Sequence, residues 1–180
     1  MFKPHVTHAV LNDPDGKRQS LTLHPRHVSK TPDEKVDIPT HMRPYTSVHA
    51  MGGLFVKTGD IPEMWIRDSV AQIWPYRDAH PDFVQRVLWR QSEFILHDVY
   101  ANSYYSEWHD PRTMSRPLQL LGRGEWVGTR NYELDSGCYF LRLLFSVYQQ
   151  YHVDVTPYKA TVQLLVDTWR VEQYHEEDSP

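Results

Sequence analysis

The chain is poor in several features that would settle its class at once. Cysteine occurs once in 180 residues, at Cys138, so neither an intrachain disulfide nor a multi-cysteine metal site is available. Glycine is scarce, at 8 residues, and the Gly52-Gly53 pair does not follow a strand and open a helix, so there is no phosphate-binding loop. Basic residues are not in excess. With 19 Lys and Arg against 23 Asp and Glu the formal charge is -4, which leaves no long basic stripe for a phosphate backbone and argues against a nucleic-acid partner. Apolar runs extend only a few residues, far short of the roughly 20 that cross a bilayer, and no apolar signal core follows Met1-Phe2-Lys3-Pro4. These absences point away from a membrane and favour a cytoplasmic protein. What is present is a hydrophobic share of 40%, enough for a core, and an aromatic excess of 6 Trp, 11 Tyr and 6 Phe.

Punctuation divides the chain near residue 50. Residues 1–50 carry Pro4, Pro14, Pro25, Pro32, Pro39 and Pro44 and an Asp13-Pro14-Asp15-Gly16 turn, which predicts an irregular opening segment. One short helix is expected after the capping-box layout of Thr31-Pro32-Asp33-Glu34. From Asp68 onward the apolar spacing turns helical, and four helices are predicted over residues 69–77, 81–98, 135–151 and 156–174. Pro81 opens the second, and Thr156-Pro157 the fourth. Gly53-Leu54-Phe55-Val56-Lys57 reads as a short strand, and no longer strand competes, so the class is predominantly helical. Residues 99–134 form a connection too long for an ordinary bundle and too aromatic for disorder, which marks it as functional. If successive helices run up and down, Trp65-Ile66-Arg67-Asp68, this connection and Tyr132-Glu133-Leu134-Asp135 converge at one mouth.

The residues at that mouth suit a polyhydroxylated ligand. Arg67 only donates hydrogen bonds and Asp68 only accepts them, so the adjacent pair can grip neighbouring hydroxyls from both sides. The same residues admit a structural account, with Asp68 capping the helix and Arg67 paired to a nearby carboxylate. Trp65 and Trp74 could stack on a sugar ring or serve the core. Glu133 and Asp135 sit two residues apart at a helix start. A carboxylate pair is the usual equipment of glycoside hydrolysis, and equally a common response to the helix dipole. Asp60, Glu63, Asp98 and Glu125 are further carboxylates near that face. His5-Val6-Thr7-His8 and His24-Pro25-Arg26-His27 have a spacing met in metal sites but lack a supporting helix, so no metal site is expected. Cys138, just inside an apolar helix, reads as a buried inert thiol. His175-Glu176-Glu177-Asp178 reads as a solvated helix end.

Taken together, several motifs resemble glycoside hydrolase family 125. They are Thr58-Gly59-Asp60-Ile61-Pro62-Glu63-Met64-Trp65-Ile66-Arg67-Asp68-Ser69 with Gln72, Trp74 and Pro75, then Trp89-Arg90-Gln91, Asp98-Val99-Tyr100-Ala101-Asn102 and Tyr132-Glu133-Leu134-Asp135-Ser136. The resemblance runs colinearly from about Tyr45 to Pro180. It implies an all-α chain, part of an (α/α)6 toroid, with residues 51–180 as the amino-terminal portion of the catalytic domain. It further implies metal-independent, cofactor-free release of terminal α-linked mannose, by preference α-1,6, with inversion. Trp65, Arg67, Asp68, Gln72, Glu133 and Asp135 would bind the sugar of an α-mannoside glycan. No residue here is assigned to proton transfer, because the family's acid and base are expected beyond Pro180. A full toroid of twelve helices needs roughly 200 residues, so the chain reads as part of a longer enzyme, inactive alone and prone to self-association through uncovered apolar faces. A truncated, non-catalytic sugar-binding module and a related toroidal hydrolase acting on another hexoside are the alternatives. Gly137 and Phe140 depart from the family pattern, and glycine near a helix start weakens it by up to about 1 kcal/mol.

Overall fold

A computed structural model describes residues 36–48 and 53–174 in full, and the backbone of 8–12 and 18–22. The Asp13-Pro14-Asp15-Gly16 turn, the Thr31-Pro32-Asp33-Glu34 capping box and His175-Glu176-Glu177-Asp178 lie outside the described residues. The four expected helices are present. Helix α1 (Ile66–Ile73) buries Ile66, Ser69, Val70 and Ile73, a spacing of three, four and seven that gives one inward face. It starts three residues before the expected position, with Trp65 in extended conformation as its N-cap, and gives way to a tight 3-10 turn at Trp74–Tyr76, where Pro75 cannot continue it. Helix α2 (Pro81–His97) is the central element. Phe83, Val84, Val87, Leu88, Phe94 and Ile95 are all buried, together with the polar Gln91 and Ser92.

The connection expected to be a loop contains the main departure from an all-α chain. Strand β5 (Met64–Trp65) pairs antiparallel with β6 (Ser103–His109), which pairs antiparallel with β7 (Glu125–Thr129), in the order β5-β6-β7. A five-residue helix, α3 (Arg116–Leu120), lies between β6 and β7. The β6–β7 register breaks between Tyr104 and His109, so the alternation that announces a strand is interrupted. Gly124 makes the return possible: its φ is +128°, and a Cβ there would meet Pro111 Cγ at 2.9 Å. Among its described residues the opening segment contains regular elements: the antiparallel pair β1 (His8–Asn12) and β2 (Arg18–Thr22), a 3-10 turn at Thr40–Tyr45, and β3 (Thr46–Val48). Strand β3 pairs with β4 (Leu54–Val56) across the boundary drawn at residue 50. The described chain is therefore helix-rich with small antiparallel sheets.

Helix α4 (Leu134–Tyr151) ends at His152, whose φ of 50° is the left-handed stop of a helix C-terminus. Helix α5 (Lys159–Glu172) packs against α4 and α2. Its approach explains the unexpected Gly137. A Cβ at that position would lie 2.8 Å from Leu165 Cδ2 and 3.0 Å from Trp169 Cζ2, so the glycine that weakens the helix start is what lets α5 close on it. Helix α5 is further joined to α2 by Ser92 Oγ and Thr161 Oγ1, 2.6 Å apart and buried. The face of α4 turned away from the core leaves Leu134, Phe145 and Tyr148 exposed, and Cys138 is exposed among them rather than buried as expected. Phe94 and Tyr104 stack at 4.4 Å in the core, joining α2 to β6. Among the described residues no helix is long and apolar enough to cross a membrane.

Candidate active site

The starts of α1 and α4 meet, and a single arginine joins them. Arg67 donates through Nη1 to Asp135 Oδ2 at 2.8 Å, with Glu133 Oε2 at 3.6 Å from the same nitrogen and Asp68 Oδ2 at 3.7 Å from Nε. One cation thus faces three carboxylates. The Asp135 hydrogen bond holds the Arg67 guanidinium above its ordinary pKa against the opposing effect of burial, and the charges of Glu133 and Asp68 add to this. The cluster is wet: the side chains of Arg67, Asp68 and Asp135 are 37%, 39% and 48% exposed. Such an exposed ion pair contributes little stability, about 1 kcal/mol or less. Its placement at two helix N-termini favours the negative charges it gathers.

The structure separates the expected roles. Asp68 does not cap α1, because Trp65 holds the cap position and makes no side-chain cap bond. Among the described residues Asp68 has only the Arg67 guanidinium beside it. Glu133 holds the cap position of α4, where Ser136 Oγ donates to its Oε2 at 3.3 Å. Gln72 follows Asp68 by one helical turn and so shares its side of α1. Trp65 Nε1, Gln72 Oε1 and Tyr132 Oη are buried and have no hydrogen-bond partner among the described residues. Buried polar atoms without partners are uncommon, and a bound ligand is one way to complete them. Trp74 is elsewhere. It sits at the other end of α1 with the guanidiniums of Arg77 and Arg142 over its ring, 4.5 and 4.3 Å from the centroid, so its ring is already engaged by two cations. Asp98 is committed to Arg130 Nε at 2.8 Å, and Glu125 lies 3.1 Å from His97 Nε2.

Beneath the cluster are two buried supports that sequence reasoning did not single out. Gln91 Nε2 donates to Ser69 Oγ at 2.8 Å and lies 3.2 Å from Ile66 O, and Ser69 Oγ in turn donates to Trp65 O at 2.6 Å. This pins the first turn of α1 to α2. Asn102 is the other. Its carbonyl accepts from Ile66 N at 3.1 Å, and its Oδ1 accepts from Thr129 Oγ1 at 2.8 Å and Asn131 N at 3.3 Å. Both residues lie in motifs visible in the sequence, but nothing in spacing alone foretells side-chain hydrogen bonds to partners 22 to 29 positions away. To one side, Tyr100 donates to Glu172 Oε1 at 2.8 Å and its ring lies 5.4 Å from that of Tyr132.

Comparison with known proteins identifies the family. The family model described as metal-independent alpha-mannosidase (GH125) matches residues 23–179. Among curated proteins nothing matches. A solved structure from Streptococcus pneumoniae is similar at 30% identity with a TM-score of 0.60. It is described as one of a new family of widely distributed metal-independent alpha mannosidases, in a non-productive substrate complex with alpha-1,6-mannobiose. The match covers 73% of the present chain and 33% of that one, so the chain spans about a third of the length of that relative. The family match extends over most of the sequence and includes both helix starts that build the arginine cluster: the chain belongs to glycoside hydrolase family 125.

Proposed function

We propose that the chain is the substrate-gripping part of an α-mannosidase that releases terminal α-1,6-linked mannose with inversion, and that Trp65, Arg67, Asp68, Gln72, Glu133 and Asp135 hold the terminal sugar. The observation that carries this reading is the convergence of Arg67 with Asp68, Glu133 and Asp135 at two helix starts in a chain of this family. Guanidinium donors beside carboxylate acceptors match the alternating needs of adjacent sugar hydroxyls. The orphaned Trp65 Nε1, Gln72 Oε1 and Tyr132 Oη supply further unmet valences.

Glu133 and Asp135 each place one oxygen near the same Arg67 nitrogen, at 3.6 and 2.8 Å, and are read as acceptors for sugar hydroxyls and not as the proton-transfer pair.

The test is calorimetric titration of the chain with α-1,6-mannobiose, in chelator, against the glucose analogue isomaltose. Mannose and glucose differ in the orientation of one hydroxyl, and a site built to hydrogen-bond hydroxyls should discriminate by about tenfold or more. Saturable mannobiose binding with that preference supports the reading. Absence of binding, or preference for the glucoside, overturns it.

A further inference from the structure

The Arg67–Asp135 contact spans two segments that are far apart in sequence, and something must hold those segments in register. Resting on the sugar-site reading above, we propose that Asn102 is the positioning residue of the site, fixing the start of α1 relative to residues 129–135 so that Arg67 and Asp135 meet. Asn102 is 1% exposed, and its neighbour Ser103 is fully buried. Its carbonyl takes the N–H of Ile66, the residue before Arg67. Its own N–H donates to Thr129 O at 3.1 Å, and its side chain takes the N–H of Asn131, two residues before Glu133. One residue therefore touches both arms of the cluster within a few bonds of the groups that matter.

The chemistry fixes which atoms act. Asn131 N can only donate, so the side-chain atom facing it is Oδ1 and not Nδ2. Thr129 Oγ1, 2.8 Å from the same oxygen, must then donate to it as well. With its proton so spent, Thr129 Oγ1 accepts from Ser103 Oγ, 2.6 Å away. The result is a directed relay from Ser103 through Thr129 to Asn102. Asn102 Nδ2 is buried and has no partner among the described residues, so the working atom is the double acceptor Oδ1. Alanine at this position removes the acceptor that the part-buried Asn131 N–H and Thr129 hydroxyl share. Aspartate keeps the acceptor.

The experiment uses the full 180-residue chain in three variants, Asn102→Ala, Asn102→Asp and Val147→Ala. The last is a control that loosens the core at a buried position of α4 far along the helix from Asp135. Amide-resolved NMR of the sugar-free protein follows the Arg67 Nε–H, the Asp135 amide and exchange at the Asn131 amide. Titration with α-1,6-mannobiose follows affinity. Asn102→Ala should move the Arg67 and Asp135 signals, speed Asn131 exchange and weaken mannobiose binding by about tenfold or more, and Asn102→Asp should recover affinity to within about threefold of the parent. Val147→Ala should lower the melting temperature yet leave those signals and the affinity in place. The proposal is overturned if Asn102→Ala leaves the Arg67 and Asp135 signals unmoved, or if Asn102→Asp is no better than Asn102→Ala. If the parent itself does not bind mannobiose, the sugar reading falls, while displaced Arg67 and Asp135 signals in Asn102→Ala still support the positioning role.

Discussion

The two ends of α1 are made of nearly the same residues and do opposite things. At its start Trp65 and Arg67 stand with Asp68, and at its far end Trp74 and Arg77 stand with Asp78. At the far end the Trp74 ring, the Arg77 guanidinium and the carbonyls of Arg77 and Asp78 are engaged by neighbours, while the Asp78 carboxylate is 59% exposed. Trp74 has two guanidiniums over its ring, Arg77 Nη1 donates to Trp74 O at 2.9 Å, and Tyr151 Oη donates to the carbonyls of Arg77 and Asp78 at 2.9 and 2.8 Å. At the start one arginine is shared among three acids, and Trp65 Nε1 and Gln72 Oε1 have no partner among the described residues. Residue type does not tell the two ends apart. Unused hydrogen-bonding capacity does, and it is what the proposed sugar site requires.

Two substitutions test this contrast most directly. Arg67→Ala removes the donor shared by three carboxylates and should weaken α-1,6-mannobiose binding by about a hundredfold, because charge-assisted bonds to the sugar are lost and the acids are left uncompensated. Stability should change by about 1 kcal/mol or less, since the cluster is half exposed. Arg67→Lys should not rescue binding, as a point charge cannot serve several acceptors in fixed directions. Trp74→Ala should do the reverse: a loss of about 2 kcal/mol in chemical denaturation, with affinity within twofold of the parent. If Trp74→Ala weakened binding as much as Arg67→Ala did, the far end would belong to the site and the contrast would fail.

How much of this was readable beforehand depends on the range of the cause. The helices were legible because Pro81 and the apolar spacing of Val84, Val87, Leu88 and Ile95 are local signals. The mouth was legible because acids at two helix starts, joined to an up-and-down arrangement, must approach each other. The β5-β6-β7 sheet was not, since β5 offers two residues and β6 loses its alternation after Tyr104. Gly137 looked like a defect until Leu165 and Trp169 filled the space above it. Cys138, one residue on, turns about 100° around the same helix and so comes out in solvent. Asn102 is the plainest case: its role consists wholly of partners at Ile66, Thr129 and Asn131.

A subtler test lies beside the mouth, where Tyr100 resembles the spent end of α1 more than the open one. Its hydroxyl is committed to Glu172, and burial first, then that hydrogen bond and the Glu172 charge, push its pKa up to about 12. A raised acid is held protonated by the fold. It follows that the contribution to stability is whole below the ordinary value near 10 and is lost as pH climbs from there through about 12. The melting temperature of the parent should therefore fall across that window, with phenolate absorbance rising late. In Tyr100→Phe the Glu172 bond is missing at every pH, so the variant should start slightly lower at neutral pH and descend less steeply above pH 10. Mannobiose affinity should stay within twofold, because a hydroxyl already paired with protein has little to offer a sugar. A descent as steep as the parent's would place the alkaline loss in other buried phenols, such as those of Tyr104 and Tyr158, which burial also raises.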